Sequence, residues 1–300
     1  MAEYERYILL LTIPHNNYMK TSLTLTICYM RKVIILLLLS MCSMQQACSS
    51  NDEYAEPEKF IFKDDFDSFD ENVWTKEAHE AGWVNNELQA YDPAYVSVGK
   101  DEGKSVLILT AERKGNKIFS GRVNSQGKKN FKYGRIEASI KLPKTANGLW
   151  PAFWMMGDND KHWPQCGEID IMEMGERNGI ASGTSEVFVN TAIHYGDNVD
   201  NHRQEYHAAN VAHSLQDGKY HTYTLDWNEN SLTIIIDNIK FHSFDISKVS
   251  GRDLYFQDNF YILFNLAVGG DFPGITDIND ITALEDGEKA YMYIDWVKVY

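Results

Sequence analysis

Residues 133–143 read YGRIEASIKLP and carry a regular alternation of apolar and polar side chains. Successive side chains of a β-strand point to opposite faces, so this alternation predicts a strand with one face on a core and the other face in water. The apolar face comprises Ile136, Ala138, Ile140 and Leu142, and the polar face comprises Arg135, Glu137, Ser139 and Lys141.

Similar short runs continue along the chain, separated by turn-forming residues such as KGN (114–116) and WNEN (227–230). Short strands between turns are typical of a β-sandwich or barrel, so we predict an all-β fold in one domain at 58–300. The C-terminal run is predicted to pair with the first strand, FIFKDDF (60–66), and a short helix is predicted near 207–216. The other predicted strands are SVLILTAER (105–113), EVFVNTAIHYG (186–196), KYHTYTLDW (219–227), SLTIIID (231–237), NFYILFNLAVGG (259–270) and YMYIDWVKVY (291–300).

The N-terminal part has the pattern of a targeting sequence. A basic pair, Arg31 and Lys32, precedes an apolar run at 33–39 that is too short to span a bilayer. Basic residues, a short apolar run and then small residues indicate a secretory signal. We therefore predict a leader at 1–47, with translation starting at Met30. The alternative, that the residues before Met30 are a translated extension, stays open.

The end of this leader resembles a bacterial lipoprotein signal, in which the first mature residue is a lipid-modified Cys. Ala47-Cys48 fits that pattern, whereas Gln45 stands where an aliphatic residue is usual. The acidic, polar stretch at 48–57 predicts a flexible tether and resembles a signal for surface display. The resemblance implies an outer-membrane or cell-surface lipoprotein of a Gram-negative bacterium, with membrane contact only through the lipid at Cys48. A periplasmic or secreted protein is the alternative.

Cysteine usage and charge restrict the partners. The chain has four Cys, and only Cys166 lies in the predicted domain, so no disulfide is expected within it. Residues 48–300 contain 24 basic and 41 acidic residues. An excess of negative charge argues against nucleic acid and is compatible with neutral polysaccharide. We expect a monomer.

The stretch CGEIDIMEMGE raises a question of strand phase. Glu168 and Asp170 are two positions apart and share a face, but Glu173 follows Asp170 by an odd number of positions. A regular strand would point Glu173 to the opposite face. A β-bulge with Ile171 and Met172 as its two residues would bring Glu173 back. The alternative is a solvated acidic strand edge, since runs of acids are common on surfaces.

Three acids on one face would suit retaining glycoside hydrolysis. That reaction uses two carboxyls about 5–5.5 Å apart, one as nucleophile and one as acid and then base. Clustered carboxyls cannot all ionise easily, so at least one pKa rises, which suits a general acid such as Glu173.

GEIDIMEM, with its E-x-D-x-x-E pattern, resembles the active-site strand of family 16 glycoside hydrolases in the bulged form of laminarinase-like members. The resemblance implies a jelly-roll sandwich of two curved antiparallel sheets, similar to concanavalin A, with a substrate cleft on the concave face. Further segments match in order: WVNNELQAY (83–91), SGRVNSQGKKNFKYGRIEASIKLP (120–143), GLWPAFWMMG (148–157), NLAVGGDFPG (265–274) and IDWVKVY (294–300).

The resemblance also implies residue roles. Glu168 becomes the nucleophile, Asp170 its helper and Glu173 the acid/base, and no cofactor is needed for catalysis. Some relatives hold a structural Ca²⁺, for which Asp295 and Asp65 match the acids; charged strand ends are the alternative. Predicted substrate-binding residues are Trp150, Trp154, Asn85, Asn86, Glu87, Arg122, Asn124, Trp163, Gln165 and His194, the last with a structural hydrogen-bonding role as its alternative.

The implied function is a secreted, retaining endo-β-glycosidase acting on β-1,3-glucan or mixed-linkage β-1,3/1,4-glucan. Relatives with very similar strands cleave β-1,4-galactosidic bonds in poly-N-acetyllactosamine of host glycans, and the catalytic strand does not distinguish the two. A carbohydrate-binding lectin-like module is the non-enzymatic alternative.

Overall fold

The computed structural model describes residues 59–251 and 255–300, and within these ranges the chain forms two stacked β-sheets with little helix. Helix α1 spans Arg177–Ser182. The strands are β1 (Phe62–Asp64), β2 (Thr75–Lys76), β3 (Gln89–Tyr91), β4 (Val96–Asp101), β5 (Lys104–Lys114), β6 (Lys117–Ser120), β7 (Arg122–Asn124), β8 (Asn130–Phe131), β9 (Gly134–Lys141), β10 (Leu149–Gly157), β11 (Glu168–Met174), β12 (Phe188–Tyr195), β13 (Arg203–Asn210), β14 (His221–Trp227), β15 (Leu232–Ile236), β16 (Ile239–Phe244), β17 (Phe260–Val268) and β18 (Lys289–Val299).

The first sheet has the order β16-β15-β14-β9-β18-β5-β6-β3, with β1 beside β18 and β4 beside β5. The second sheet has the order β13-β12-β11-β10-β17-β7-β2, with β8 beside β17. Apart from the parallel pair β3 and β6, the described strands pair antiparallel. This arrangement confirms the predicted all-β jelly-roll sandwich.

The strand predictions agree with the structure and the helix prediction does not. Each predicted run coincides with an observed strand, and the C-terminal strand pairs with the first one, Phe62 opposite Val299. The predicted helix near 207–216 is wrong, because Arg203–Asn210 is strand β13 at the edge of the second sheet. Most of its residues are exposed, so it lacks the apolar alternation by which strands are recognised.

The prediction that strand β9 has one face in water is wrong. Arg135, Glu137 and Ser139 are buried, as are the apolar residues on the other face. Strands β14 and β18 flank β9, and their side chains cover its polar face. Glu137 Oε1 accepts a hydrogen bond from Thr224 Oγ1 at 2.9 Å and lies 3.3 Å from Arg135 Nη2, so this buried oxygen is paired.

Apolar side chains fill the space between the two sheets. Phe153 on β10 and Phe264 on β17 are fully buried cross-strand neighbours whose rings stack at 4.8 Å. Burial of such side chains contributes about 1.5–3 kcal/mol each, which holds the second sheet on the core. A separate small apolar cluster, which includes Trp154 and Tyr261, lies on the opposite face of the second sheet. That face carries the candidate site.

Strand β11 contains the predicted bulge. Asp170 pairs with Ala192 and Glu173 pairs with Asn190, so Ile171 and Met172 together stand opposite one residue of β12. Both bulge residues are fully buried. The prediction that Ile171 and Met172 return Glu173 to the face of Asp170 is therefore confirmed.

The leader, the tether and the lipidation site at Cys48 lie outside the described residues. Among the residues that are described, no helix combines the length and apolar character that crossing a membrane requires.

Candidate active site

Strand register brings Glu168, Asp170 and Glu173 together on one face of the second sheet, which we call the acid face. Trp154 of β10 pairs with Asp170, and Ala152 pairs with Glu173. On the other side of β11, His194 pairs with Glu168. Directly paired residues share a face, so all these side chains point the same way.

Each outer acid has a Trp indole as a hydrogen-bond donor. Trp163 Nε1 donates to Glu168 Oε2 at 2.8 Å, and Trp150 Nε1 donates to Glu173 Oε1 at 3.0 Å. Both acids are half-buried, whereas Asp170 between them is buried. The two outer carboxyls can therefore reach a bound molecule, and the middle one acts on its neighbours.

His194 lies over this group of acids, as predicted. Its Nε2 is 3.2 Å from Asp170 Oδ2 and 3.8 Å from Glu168 Oε1. Its Nδ1 is 2.9 Å from His202 Nε2, and the two rings stack at 5.1 Å. His202 was not predicted, and it links His194 to Trp163, whose ring lies 4.7 Å away.

Burial raises the pKa of every acid in the group, and the charge of Asp170 adds to the effect at Glu168 and Glu173. Burial, and then the charge of Asp170, raise the pKa of Glu168 to about 8, while His194 and Trp163 act in the opposite direction. Burial also raises the pKa of Asp170, which is hydrogen-bonded to Glu168. The pKa of Glu173 lies well above its usual value because of burial and then the charge of Asp170. A raised pKa favours the protonated form of a carboxyl, which is the form that a proton donor requires.

A second polar group lies on β7, which is separated from β11 by the two strands β10 and β17. Arg122 Nε lies 3.0 Å from Glu77 Oε1, and Asn124 Nδ2 donates to the same oxygen at 2.6 Å. Burial alone would raise the pKa of Glu77, but Arg122 and the hydrogen bonds from His79 and Asn124 lower it. Arg122 also lies 4.9 Å from the Trp154 ring. Arg122 and Asn124 are therefore on the acid face, as predicted, and Glu77 is an addition to the site.

The predicted loop residues act through other side chains. Glu87 is buried and accepts hydrogen bonds from Gln89 and Tyr91, so its carboxylate is occupied within the protein. Tyr91 in turn accepts from Asn265, which accepts from Trp154 Nε1 at 2.7 Å. Glu87 thus positions the Trp154 side of the face.

Asn85 and Asn86 are equally held by their neighbours. Asn85 Nδ2 donates to Glu87, and Asn86 Nδ2 donates to Asp271 at 3.0 Å. Gln165 is half-buried beside β11 and makes no hydrogen bond to the acids among the described residues.

Two exposed aromatic residues on this face were not singled out from the sequence. Trp83 is 47% exposed, stacks on His79 at 3.4 Å and lies 5.2 Å from Arg122. Tyr206 is 63% exposed and is the second cross-strand neighbour from Asp170, through Ala192. Tyr206 could have been found only from the strand register. Trp83, in contrast, lies in the sequence just before Asn85 and could have been noticed there. Flat exposed rings on both sides of the acids suit stacking on sugar rings.

The predicted calcium site does not fit the described residues. Asp295 Oδ2 lies 2.7 Å from Lys104 Nζ, and Asp65 Oδ2 lies 2.5 Å from Lys63 Nζ. Ca²⁺ takes six to eight oxygen ligands. At each acid a lysine ammonium group already neutralises the carboxylate that would bind the ion. Neither acid belongs to a described group of converging metal-ligand side chains.

Two residues near β11 have structural roles. Cys166 is a free, buried thiol. Burial, and then the charge of Glu168, raise the pKa of this thiol to about 11. Glu176, to which no catalytic role was assigned, caps α1 by accepting a hydrogen bond from the Asn178 backbone N–H at 2.7 Å.

Comparison with known proteins identifies the family of the chain. A family model described as glycosyl hydrolases family 16 matches residues 88–298, most of the described chain. The chain belongs to glycosyl hydrolase family 16. It is therefore a glycoside hydrolase, of a family for which a retaining mechanism is typical and no catalytic cofactor is needed.

Solved and curated proteins are similar to this chain. The structure described as Bacteroides ovatus mixed linkage glucan PUL (MLGUL) GH16 in complex with G4G4G3G product is 73% identical, with a TM-score of 0.78, and the match covers 80% of this chain and 100% of that chain. The β-glucanase of Rhodothermus marinus is 28% identical over 90% of this chain and 94% of that protein. The clotting factor G alpha subunit of Tachypleus tridentatus is 33% identical over 81% of this chain but only 34% of that longer protein.

Deletion of Met172 tests the bulge. Because Ile171 and Met172 face one residue of β12, the deletion leaves Glu173 opposite Asn190 and keeps the acids in phase. We expect hydrolysis to persist, while the free energy of unfolding falls by about 2–5 kcal/mol for the lost buried side chain. Deletion of Ile169 is the control, since it also removes a fully buried residue but puts Asp170 out of phase and should abolish hydrolysis. A folded but inactive Met172 deletion would contradict the expected register.

Replacement of Asp170 by Asn tests the electrostatics. After burial, the charge of Asp170 contributes most to the raised pKa of Glu173. An acid catalyst must be protonated, so activity is present below its pKa and lost above it. In Asp170→Asn the pKa of Glu173 falls, and the alkaline limb of the kcat–pH profile should move to lower pH. An alkaline limb that stays in place or moves upward would show that Asp170 does not control Glu173.

Proposed function

We propose that this protein is an endo-acting, retaining hydrolase of mixed-linkage β-1,3/1,4-glucan, with β-1,3-glucan as a related substrate. The observation that carries the proposal is the acid face itself, where the bulge of β11 brings Glu168 and Glu173 to one side with a Trp donor on each. The 73% identity to the Bacteroides ovatus mixed-linkage glucan enzyme supports the choice of substrate.

In the proposed mechanism, Glu168 attacks the anomeric carbon and Glu173 protonates the leaving oxygen. The covalent glycosyl-enzyme is then hydrolysed by a water from which Glu173 removes a proton. Glu168 must be ionised to attack, although its pKa is raised to about 8. Its hydrogen bond from Trp163 and the nearby His194 favour the ionised form.

The length of the acid face suits internal cleavage. The second sheet has seven strands from β13 to β2, which span about 29 Å at the usual strand spacing. Tyr206 lies toward one edge, and Trp83 lies over Arg122 toward the other. A polysaccharide could therefore extend past the acids in both directions, stacking on aromatic rings at each end.

We also propose that the protein is exported and carries a lipid on Cys48. The basic pair, the apolar run and Ala47-Cys48 support this proposal. Labelled fatty acid should be incorporated by the wild type and not by Cys48→Ala. Equal labelling of the two proteins would contradict the proposal.

The substrate is tested by incubating the purified protein with mixed-linkage glucan, laminarin and a keratan-type glycan, and by sizing the products over time. We expect a ladder of intermediate oligosaccharides from mixed-linkage glucan, with the β-anomer formed first. Glu168→Gln, prepared identically, controls for contaminating glycosidases. Cleavage of the keratan-type glycan alone would favour an endo-β-galactosidase, and no product from any glycan would refute hydrolysis.

A further inference from the structure

Three potential metal ligands converge in the region of the first sheet. His221 begins β14, Asp237 lies in the turn between β15 and β16, and His213 lies in the segment between β13 and β14. His213 Nε2 is 2.8 Å and His221 Nδ1 is 2.7 Å from the same oxygen, Asp237 Oδ2. Among the described residues, only this group and the group around Glu168 bring three such ligand atoms within 4.8 Å of one another.

The two carboxylate contacts of His221 require a positive charge on or beside its ring. His221 lies between two carboxylates, because its Nε2 is also 3.1 Å from Asp217 Oδ1. A neutral imidazole has one N–H, and an ionised carboxylate can only accept, so His221 cannot satisfy both contacts while neutral. Either an extra proton or a metal ion at Nδ1 meets the requirement. The side chain of His221 is only 8% exposed, so little water is available to replace a missing partner.

The surrounding backbone holds Asp237 and Asp217 in place. Asp237 Oδ1 accepts a hydrogen bond from the Thr222 N–H at 2.9 Å, which leaves Oδ2 for the two histidines. Asp237 has a φ of 48°, in the left-handed region that Asp tolerates in hairpin turns. Asp217 is placed to accept the Nε2 proton of His221, which would direct the Nδ1 lone pair toward Asp237 and His213. Metal-bound histidines commonly have such a carboxylate partner.

We propose that His213, His221 and Asp237 form a zinc site, with water in the fourth position. Two imidazole nitrogens and one carboxylate oxygen are ligands that Zn²⁺ accepts at about 2.0–2.2 Å in tetrahedral geometry. The present nitrogen–oxygen separations need to open by about half an ångström to admit the ion. His213 is 47% exposed, so an ion can enter from solvent. Ca²⁺ is excluded as the occupant because it requires more oxygen ligands than this group supplies.

Zinc at this site would tie the 211–220 segment to the β15–β16 turn. The bound ion stabilises the folded chain in proportion to its affinity and concentration. The site uses residues of the first sheet and its loops, whereas the acid face is on the second sheet. The proposal is therefore independent of the proposed function.

The test is titration of the chelator-treated full chain with ZnCl₂, followed by calorimetry and thermal unfolding. We expect one equivalent to bind at this site and Tm to rise until that equivalent is reached. His213→Ala should weaken binding by about 100-fold or more, and Asp217→Asn by about 10–100-fold. His213→Cys should retain zinc, because a thiolate is also a zinc ligand, whereas a histidine that served only as a hydrogen-bond donor would not be replaced by Cys.

Two further variants identify where zinc binds. His162→Ala removes an exposed histidine outside the group and should leave the affinity unchanged. His194→Ala should also retain zinc, because His194 belongs to the other converging group. Absence of binding, equal affinity in His213→Ala and wild type, or loss of binding in His194→Ala would each overturn the proposal.

Discussion

Replacing Glu168 by Gln should lower kcat on mixed-linkage glucan by about 10⁵-fold or more, the scale seen when a covalent nucleophile is lost. The amide preserves the shape of the side chain and can still accept the hydrogen bond from Trp163 Nε1. It cannot form the glycosyl-enzyme, so substrate binding should persist while turnover stops. Steady-state kinetics and oligosaccharide binding by calorimetry measure the two effects separately.

Glu176→Gln is the matched control for this variant. It makes the same substitution in the same acidic stretch, at a residue that caps α1. We expect unchanged kcat and a loss of stability of about 0.5–2 kcal/mol at most. Full hydrolysis by Glu168→Gln would exclude Glu168 as the nucleophile.

Unfolding at different pH distinguishes a chemical defect of Glu168→Gln from misfolding. In the folded protein the pKa of Glu168 is raised to about 8 from a usual value of 4.5. The folded state therefore binds this proton more tightly than the unfolded state, and wild-type stability falls as pH rises from about 4.5 to about 8. Gln does not titrate, so the variant should be more stable than wild type at pH 8, by about 1–3 kcal/mol, and lose that advantage near pH 4.5.

The bulge was predictable because its signal is local. Glu173 follows Asp170 by three positions, one more than the two that would keep both acids on one face of a regular strand. The sequence around them is otherwise that of a strand. Either the acids do not act together or the strand has one extra residue between Asp170 and Glu173. The register of β11 shows the second arrangement.

Residues contributed by distant strands were not predictable in the same way. Tyr206 reaches the acid face only through the pairing of β12 with β13, and His202 directly precedes β13. Most residues of β13 are exposed, and they lack apolar alternation. Glu77 is placed by the pairing of β2 with β7. Similarly, the alternation in β9 separated its faces correctly, but it contained no information on the strands that cover Glu137. A sequence pattern assigns a residue to a face, and the sheet order decides whether that face meets water.

Replacing Glu173 by Ala should separate the two steps of the reaction. On glucan, loss of the acid/base should lower kcat by about 10²–10⁴-fold. On an aryl β-glucoside with a dinitrophenyl leaving group, which departs without protonation, formation of the glycosyl-enzyme should remain fast. Hydrolysis of that intermediate becomes limiting, because no base activates water. Pre-steady-state release of dinitrophenolate should therefore show a burst, followed by slow turnover.

Azide then distinguishes Glu173 from Glu168. Azide needs no general base, so it should restore turnover of Glu173→Ala by attacking the glycosyl-enzyme, and two successive inversions give the β-glycosyl azide. In Glu168→Ala, azide instead takes the place of the missing nucleophile, and a single inversion gives the α-glycosyl azide. The anomeric configuration, read by NMR, assigns each carboxyl independently of rate. An α-product from Glu173→Ala would mean that the roles of the two acids are reversed, with Trp150 rather than Trp163 donating to the nucleophile.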